Sequence, residues 1–255
     1  MANQHVAWSI NSRNEVSLIY ENHQGPPMLG DTQVIDISYS VSETVFILSV
    51  KDGHNYLEYG KNNVPTEWKS VTVVLSQDVR VNKIDASPAD KVYLVLSDGT
   101  LAEIAAPDGA QATPQVIDGS EGAIQVSAAP DGNVWIVATT SEGSIVRCLS
   151  GNEWKTIPDI NNAKRVTGTT EGQAYVVKGD GSIVLVSTDG AQKEIPFEHQ
   201  ATEISVGAEG TLWAIAQDGG FTGGNIYTTS DEGANWNHVS GADAKYLDAG
   251  LLASV

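Results

Sequence analysis

The sequence predicts an all-β fold, a six-bladed β-propeller of four-stranded antiparallel blades. A unit recurs along the whole chain, each unit holds short β-rich runs, and one unit is divided between the two ends. Every unit opens with an apolar residue followed by Ser, Thr or Asp: Ile37-Ser38, Ile84-Asp85, Val126-Ser127, Val166-Thr167, Ile204-Ser205 and Leu247-Asp248. In the first five an aromatic residue follows the polar one after eight positions, at Phe46, Tyr93, Trp135, Tyr175 and Trp213. Turn residues lie between, as in Pro130-Asp131-Gly132, Thr170-Glu171-Gly172 and Ala208-Glu209-Gly210.

The sixth unit opens at 244–249 and continues at the N-terminus, where Trp8 takes the aromatic position and Val16–Tyr20 the next strand. Counted around a circle, six aromatic positions divide the 255 residues at about 42 each, the size of one propeller blade. Pairing of the last strand with the first then closes the ring. The blades are expected at 242–255 plus 1–31, 32–78, 79–120, 121–161, 162–199 and 200–241, as one domain.

The strands follow from local chemistry. Val92–Leu96 and Ala174–Val177 are β-branched or aromatic and end at Asp-Gly or Glu-Gly turns, the signature of short hairpin strands. No apolar pattern of helical period exceeds two turns, so helices are not expected. The Ser, Thr and Asp positions fall on the innermost strands, where small polar residues suit a wet axial channel. Asp85 and Asp248 either hold a cation there or bond backbone amides and water. The aromatic ring of Trp8, Phe46, Tyr93, Trp135, Tyr175 and Trp213 is expected to pack between adjacent sheets.

A second order pairs the blades. From the aromatic to the next strand the distance is eight residues in three blades, but ten from Phe46 to Tyr56 and from Trp135 to Ile145, and thirteen from Trp213 to Ile226. The same three blades place a tryptophan at the start of the outermost strand, in Glu67-Trp68-Lys69, Glu153-Trp154-Lys155 and Asn235-Trp236-Asn237. The others place proline there, at Pro26-Pro27, Pro114 and Pro196. An indole face beside Glu, Lys or Asn can stack on a sugar ring while its neighbours bond the hydroxyls. Trp68, Trp154, Trp236, Glu67, Lys69, Glu153, Lys155 and Asn235 are therefore the candidate ligand-binding residues. The competing reading is that each tryptophan covers a blade edge. The Gly-rich loop 218–225, with Phe221, reads as a ligand-reaching loop or a surface insertion.

The unit Ile124-Gln-Val-Ser127, Asp131-Gly132, Val134-Trp135-Ile-Val137, Gly143-Ser-Ile-Val-Arg147 and Trp154-Lys-Thr-Ile-Pro158 resembles a tectonin-type β-propeller repeat. That resemblance implies a lectin-like protein recognising surface glycans, bacterial polysaccharides among them, through several shallow sites. Thr229-Ser-Asp231-Glu-Gly233-Ala-Asn-Trp236 also matches the Asp-box, a structural turn shared with sialidases. A sialidase needs an arginine cluster, and the four arginines here, Arg13, Arg80, Arg147 and Arg165, lack that family's Arg-Ile-Pro start.

Other chemistry is sparse. The net charge of −18 without a basic cluster argues against nucleic acid or anionic lipid as partners. No apolar run approaches the ~20 residues of a membrane span. The first residues lack the pattern of a secretory leader, so a cytoplasmic location, or release by another route, is expected. The five histidines have no metal-ligand spacing. Cys148, the one cysteine, lies in an apolar strand. No catalytic residue, cofactor or metal is expected. Beside the lectin stands a non-catalytic protein-interaction scaffold as the alternative, and behind both an enzyme, which would show a convergent polar cluster at the channel mouth.

Overall fold

The Asp-Gly punctuation and β-branched runs produce six antiparallel sheets arranged in a ring, with no helix among the described residues. The computed structural model describes residues 4–252 except 12, 21–22, 25–32, 41, 62–64, 66, 106, 108, 208–209 and 219–222. Pro26-Pro27, the Phe221 tip and part of the 208–210 turn thus lie outside the described residues.

Blade 1 contains β1 (Gln4–Ile10), β2 (Val16–Tyr20) and β3 (His23–Gln24). Blade 2 contains β4 (Gln33–Ser40), β5 (Thr44–Lys51), β6 (His54–Lys61) and β7 (Lys69–Val73). The third is built from β8 (Val81–Ala86), β9 (Val92–Leu96) and β10 (Leu101–Ile104), then, after β11 (Gln111–Ala112), β12 (Gln115–Val116). Blade 4 runs β13 (Ala123–Ala128), β14 (Val134–Thr140), β15 (Gly143–Ser150) and β16 (Glu153–Thr156). Blade 5 runs β17 (Ala163–Gly168), β18 (Gln173–Lys178), β19 (Ile183–Ser187) and β20 (Gln192–Ile195). Blade 6 runs β21 (Ala201–Val206), β22 (Leu212–Ala216), β23 (Gly224–Thr229) and β24 (Asn237–Ala244). The last strand, β25 (Tyr246–Leu252), returns to blade 1 and pairs along all of β1, from Ile10↔Tyr246 to Gln4↔Leu252.

Six hydrophobic clusters fill the seams between adjacent blades, and each receives one aromatic of the ring. Trp8 packs between blades 1 and 2, Phe46 between 2 and 3, and Tyr93 between 3 and 4. Trp135, Tyr175 and Trp213 continue the series around to blade 1. Trp8, Trp135 and Trp213 are each 0% exposed. Burying ~150–250 Å² of indole is worth roughly 4–6 kcal/mol before entropy. That exceeds the ~1–3 kcal/mol cost of stranding an N–H, and the three indole nitrogens have no hydrogen-bond partner among the described residues. The fit is close: a Cβ added to Gly168 would stand 2.6 Å from Ala129 Cβ and 2.8 Å from Trp135 Cδ1.

In blades 2 to 6 the register of the innermost pair slips at the same place, between 34/36, 81/83, 123/125, 163/165 and 201/203. Such bulges bend a strand and re-aim its side chains. Beyond each bulge, alternate residues face the axis.

One element departs from the four-stranded expectation. The segment between β10 and β12 leaves blade 3 and adds β11 to blade 2, parallel to β7. The N–H groups of Thr72 and Val74 donate to the carbonyls of Ala110 and Ala112, at 2.9 and 2.8 Å. A free sheet edge exposes unpaired donors, and this strap satisfies two of them.

Candidate functional site: an axial funnel and three blade seams

The innermost strands present two polar tiers to the axis. In the first are Ser38, Asp85, Ser127, Thr167, Ser205 and Asp248, the repeat-opening positions. Their bonding runs around the ring in one direction, from a side chain to the backbone N–H one residue past the equivalent position in the next blade. Ser38 Oγ accepts from Ala86 N at 2.9 Å, Asp85 Oδ2 from Ala128 N at 2.7 Å and Ser127 Oγ from Gly168 N at 3.0 Å. Across the chain closure, Ser205 Oγ accepts from Ala249 N at 2.9 Å and Asp248 Oδ2 from Tyr39 N at 2.5 Å. The serines also donate, Ser38 Oγ to Asp85 at 2.6 Å and Ser205 Oγ to Asp248 at 2.9 Å. Asp85 and Asp248 thus bond backbone amides and neighbouring hydroxyls.

Two residues earlier on each strand stand Asp36, Lys83, Gln125, Arg165, Glu203 and Tyr246. This tier is electrically closed. Lys83 pairs with Asp36 at 3.3 Å and Arg165 with Glu203 at 2.8 Å. Lys83 Nζ also lies 3.6 Å from the centre of the Tyr246 ring, a cation–π contact. The first tier has no such compensation. Burial pushes the Asp85 carboxyl up to about 6. Burial, and then repulsion from Asp85, push Asp248 up to about 8.

Above the first tier the channel opens into a funnel of about 90 Å³, with Asp85, Asp248 and Thr167 at its floor. Pro88, Pro130, Val206 and Thr170 are among its walls. Neighbouring rim loops are tied together: Ser40 Oγ donates to the Ser87 carbonyl at 2.7 Å, and Gly172 N donates to Asp131 at 2.7 Å.

The tryptophans lie elsewhere, on the outer edges of alternate blades. Trp154 donates its indole N–H to the Asp118 carbonyl at 2.9 Å, and Trp236 donates to the Pro196 carbonyl at 2.7 Å. Both acceptors belong to the connection leaving the preceding blade. Trp68, Trp154 and Trp236 pack onto the seams between blades 1 and 2, 3 and 4, and 5 and 6. The chain positions equivalent to Asp118 and Pro196 in the repeat that precedes Trp68 fall within 25–32, outside the described residues. Arg147 covers one side of Trp154 with its guanidinium carbon 4.9 Å from the ring centre, and donates to the Gly119 carbonyl at 2.7 Å. All three indoles keep a half-buried position. Glu67, Lys69, Glu153, Lys155 and Asn235 are exposed beside them. Asn235 Nδ2 is bonded to Asp231 at 2.7 Å within the Asp-box turn. Hydrogen bonds from Thr229, then from Asn235, hold the Asp231 carboxyl down at about 2. Each tryptophan is thus gathered with its own flanking residues, one group on each of three alternate blades.

Blade 6 adds an aromatic ladder that the sequence did not single out. Phe197 lies 4.6 Å from Trp236 and 5.5 Å from Tyr227, and His199 stacks on Tyr227 at 4.5 Å. Asp218 accepts from Tyr227 Oη at 3.1 Å and contacts His199. The ladder connects the long middle hairpin to the start of the outer strand. Its members come from β23 and the connection after β20, so no local spacing announces them.

A six-bladed ring with a narrow polar axis and an open funnel defines the molecule as a β-propeller. Comparison with solved structures agrees on the fold. A structure of YCF48 bound to D1 peptide superposes with a TM-score of 0.56 at 13% identity, over 92% of this chain and 78% of that one. A protein of unknown function from Bacteroides caccae gives 0.63 at 10% identity, over 97% and 99%. PorZ, a bacterial surface component of the type-IX secretion system of Porphyromonas gingivalis, gives 0.52 at 16% identity; 91% of this chain aligns with 31% of PorZ. No protein-family model and no curated protein matches the sequence.

Proposed function

We propose that the protein is a non-catalytic binding scaffold that receives a segment of a protein partner in the axial funnel. One observation carries this reading: the funnel is a concave site with a tied rim, and its floor holds two carboxylates while the channel's cations are spent one tier below. A propeller of similar fold solved with a peptide bound supports it by analogy. The test is selection from a displayed peptide library, followed by Thr170→Trp, which fills the mouth from an exposed rim position. Selected peptides should lose binding to this variant while its circular dichroism is unchanged. Binding that survives the plug would remove the funnel from the reading.

Glycan recognition on the alternate blades is the second reading, favoured by the half-buried indoles of Trp68, Trp154 and Trp236 with exposed polar neighbours. A glycan array with dense surface polysaccharides tests it. Hits sharing a terminal sugar and lost stepwise on Trp→Ala replacement would establish it. A blank array from folded protein would leave the tryptophans as seam latches.

A further inference from the structure

The first-tier positions divide by blade parity. Blades 2, 4 and 6 carry serine, at Ser38, Ser127 and Ser205. Blades 1, 3 and 5 carry Asp248, Asp85 and Thr167. Alternate blades of a six-bladed ring stand in a three-fold array, so the two carboxylates and the threonine hydroxyl surround the axis as a tripod at the funnel floor. Thr167 is the break in the girdle. It is 7% exposed, lines the funnel, and its hydroxyl has no hydrogen-bond partner among the described residues. The hydroxyl opens onto the funnel, where it is available to a ligand.

We infer that the funnel floor is a receptor for one primary ammonium group, held along the axis by Asp85, Asp248 and Thr167. The group has three N–H donors arranged about its C–N bond, matching three acceptors arranged about the channel. Two carboxylates supply the charge, and the walls at Pro88, Pro130 and Val206 suit the methylene stem that leads to such a head. A metal ion is less well served: among the described residues no three His, Cys, Asp or Glu side chains gather to hold one. This inference rests on the scaffold reading and makes it specific, the anchor being a lysine side chain or a free amino terminus.

Proton linkage accompanies it. An ammonium at the floor favours ionised Asp85 and Asp248, so binding releases protons near neutral pH and tightens as pH rises. The other charged groups along the channel are Asp36 on β4, Lys83 on β8, Arg165 on β17 and Glu203 on β21, which are already paired. Tyr246 on β25 lies under Lys83.

The experiment is a titration of ¹⁵N-labelled protein with the blocked peptide acetyl-Gly-Lys-Gly-amide, followed at the amides of Tyr39, Ala86, Ala128 and Ala249. Saturable shifts are expected, stronger at pH 8 than at pH 6, and absent for the Nε-acetyl-lysine peptide. Thr167→Val keeps the shape and breaks no hydrogen bond of the fold, and should weaken binding about tenfold. Equal binding of the acetylated peptide, or wild-type affinity in Thr167→Val, would overturn the inference. So would the same shifts produced at lower concentration by potassium or calcium chloride. Tighter binding of 1,5-diaminopentane than of the peptide would support the ammonium site while assigning it to a free amine. Library peptides that enter the funnel without lysine or a free amino terminus would leave the scaffold reading standing and the ammonium anchor refuted. Failure of both library and lysine probe would refute both.

Discussion

Trp154 donates its indole N–H to the backbone carbonyl of Asp118, 2.9 Å away and 36 residues earlier. Trp236 repeats the relationship with Pro196 across the next double blade. The bond joins an outer strand to the connection that leaves the preceding blade, so it latches two blades at their outer edge. Arg147 reinforces the first latch from above.

Trp154→Ala should therefore lower stability by about 2 kcal/mol, combining lost packing with an unpaired carbonyl. Trp154→Phe, which keeps a ring against the seam, should cost about 1 kcal/mol. Urea midpoints at unchanged slope read both. A neutral Trp154→Ala would mean that the indole rests on the seam without holding it.

Gly168 is required for a different reason. A methyl group there would meet Ala129 Cβ at 2.6 Å and Trp135 Cδ1 at 2.8 Å. Overpacking of this kind costs about 1–3 kcal/mol. Gly168→Ala should unfold at lower urea than wild type, and Trp135→Phe should partly rescue it by vacating space.

The first-tier carboxylates predict a pH dependence. Burial raises the folded carboxyls of Asp85 and Asp248, toward about 6 and about 8 for the interacting pair, above the unfolded value near 4. The folded state therefore binds protons more tightly than the unfolded chain. Their contribution to stability is fully present below about pH 4 and is lost as pH rises through 6 and 8. Melting temperature should fall between pH 5 and 8 and level off above. Asp248→Asn keeps an acceptor for Tyr39 N–H without the charge, and should flatten that fall; a parallel fall in the variant would refute the assignment.

Burial pushes the Cys148 thiol up to about 12, and Cys148 is 0% exposed in the seam between blades 4 and 5. The thiolate is the reactive form. Folded protein should resist iodoacetamide at pH 8 and react after unfolding in urea. Rapid labelling of folded protein would mean that the seam opens.

Much of the architecture was legible because its signals are local. Strand runs end at Asp-Gly turns, and the polar-to-aromatic spacing of eight residues recurs from Ser38–Phe46 to Ser205–Trp213. Period-2 alternation sends Phe46, Trp135 and their equivalents into the seams whatever the ligand. The latch of Trp154 was only half visible. The sequence showed a tryptophan at a strand start with polar neighbours, which suits a sugar platform as well as an edge cover. The acceptor lies on another blade, and no spacing within one repeat names it. The aromatic ladder of Phe197, His199 and Tyr227 was hidden for the same reason.

By itself the sequence determined six blades, their closure through Trp8 and Asp248, and the pairing of blades into three doubles. These follow from repetition, which a chain carries in one dimension. Only the tertiary structure decided that Asp85 meets the amide of Ala128 and Asp248 that of Tyr39, that Lys83 and Arg165 are spent on Asp36 and Glu203, that β11 crosses to blade 2, and that Thr167 lines the funnel with no hydroxyl partner among the described residues. Each is a relation between residues on different blades or strands, brought together by closing the ring. The low dielectric and narrow axis of that ring then set which groups share charge and which do not.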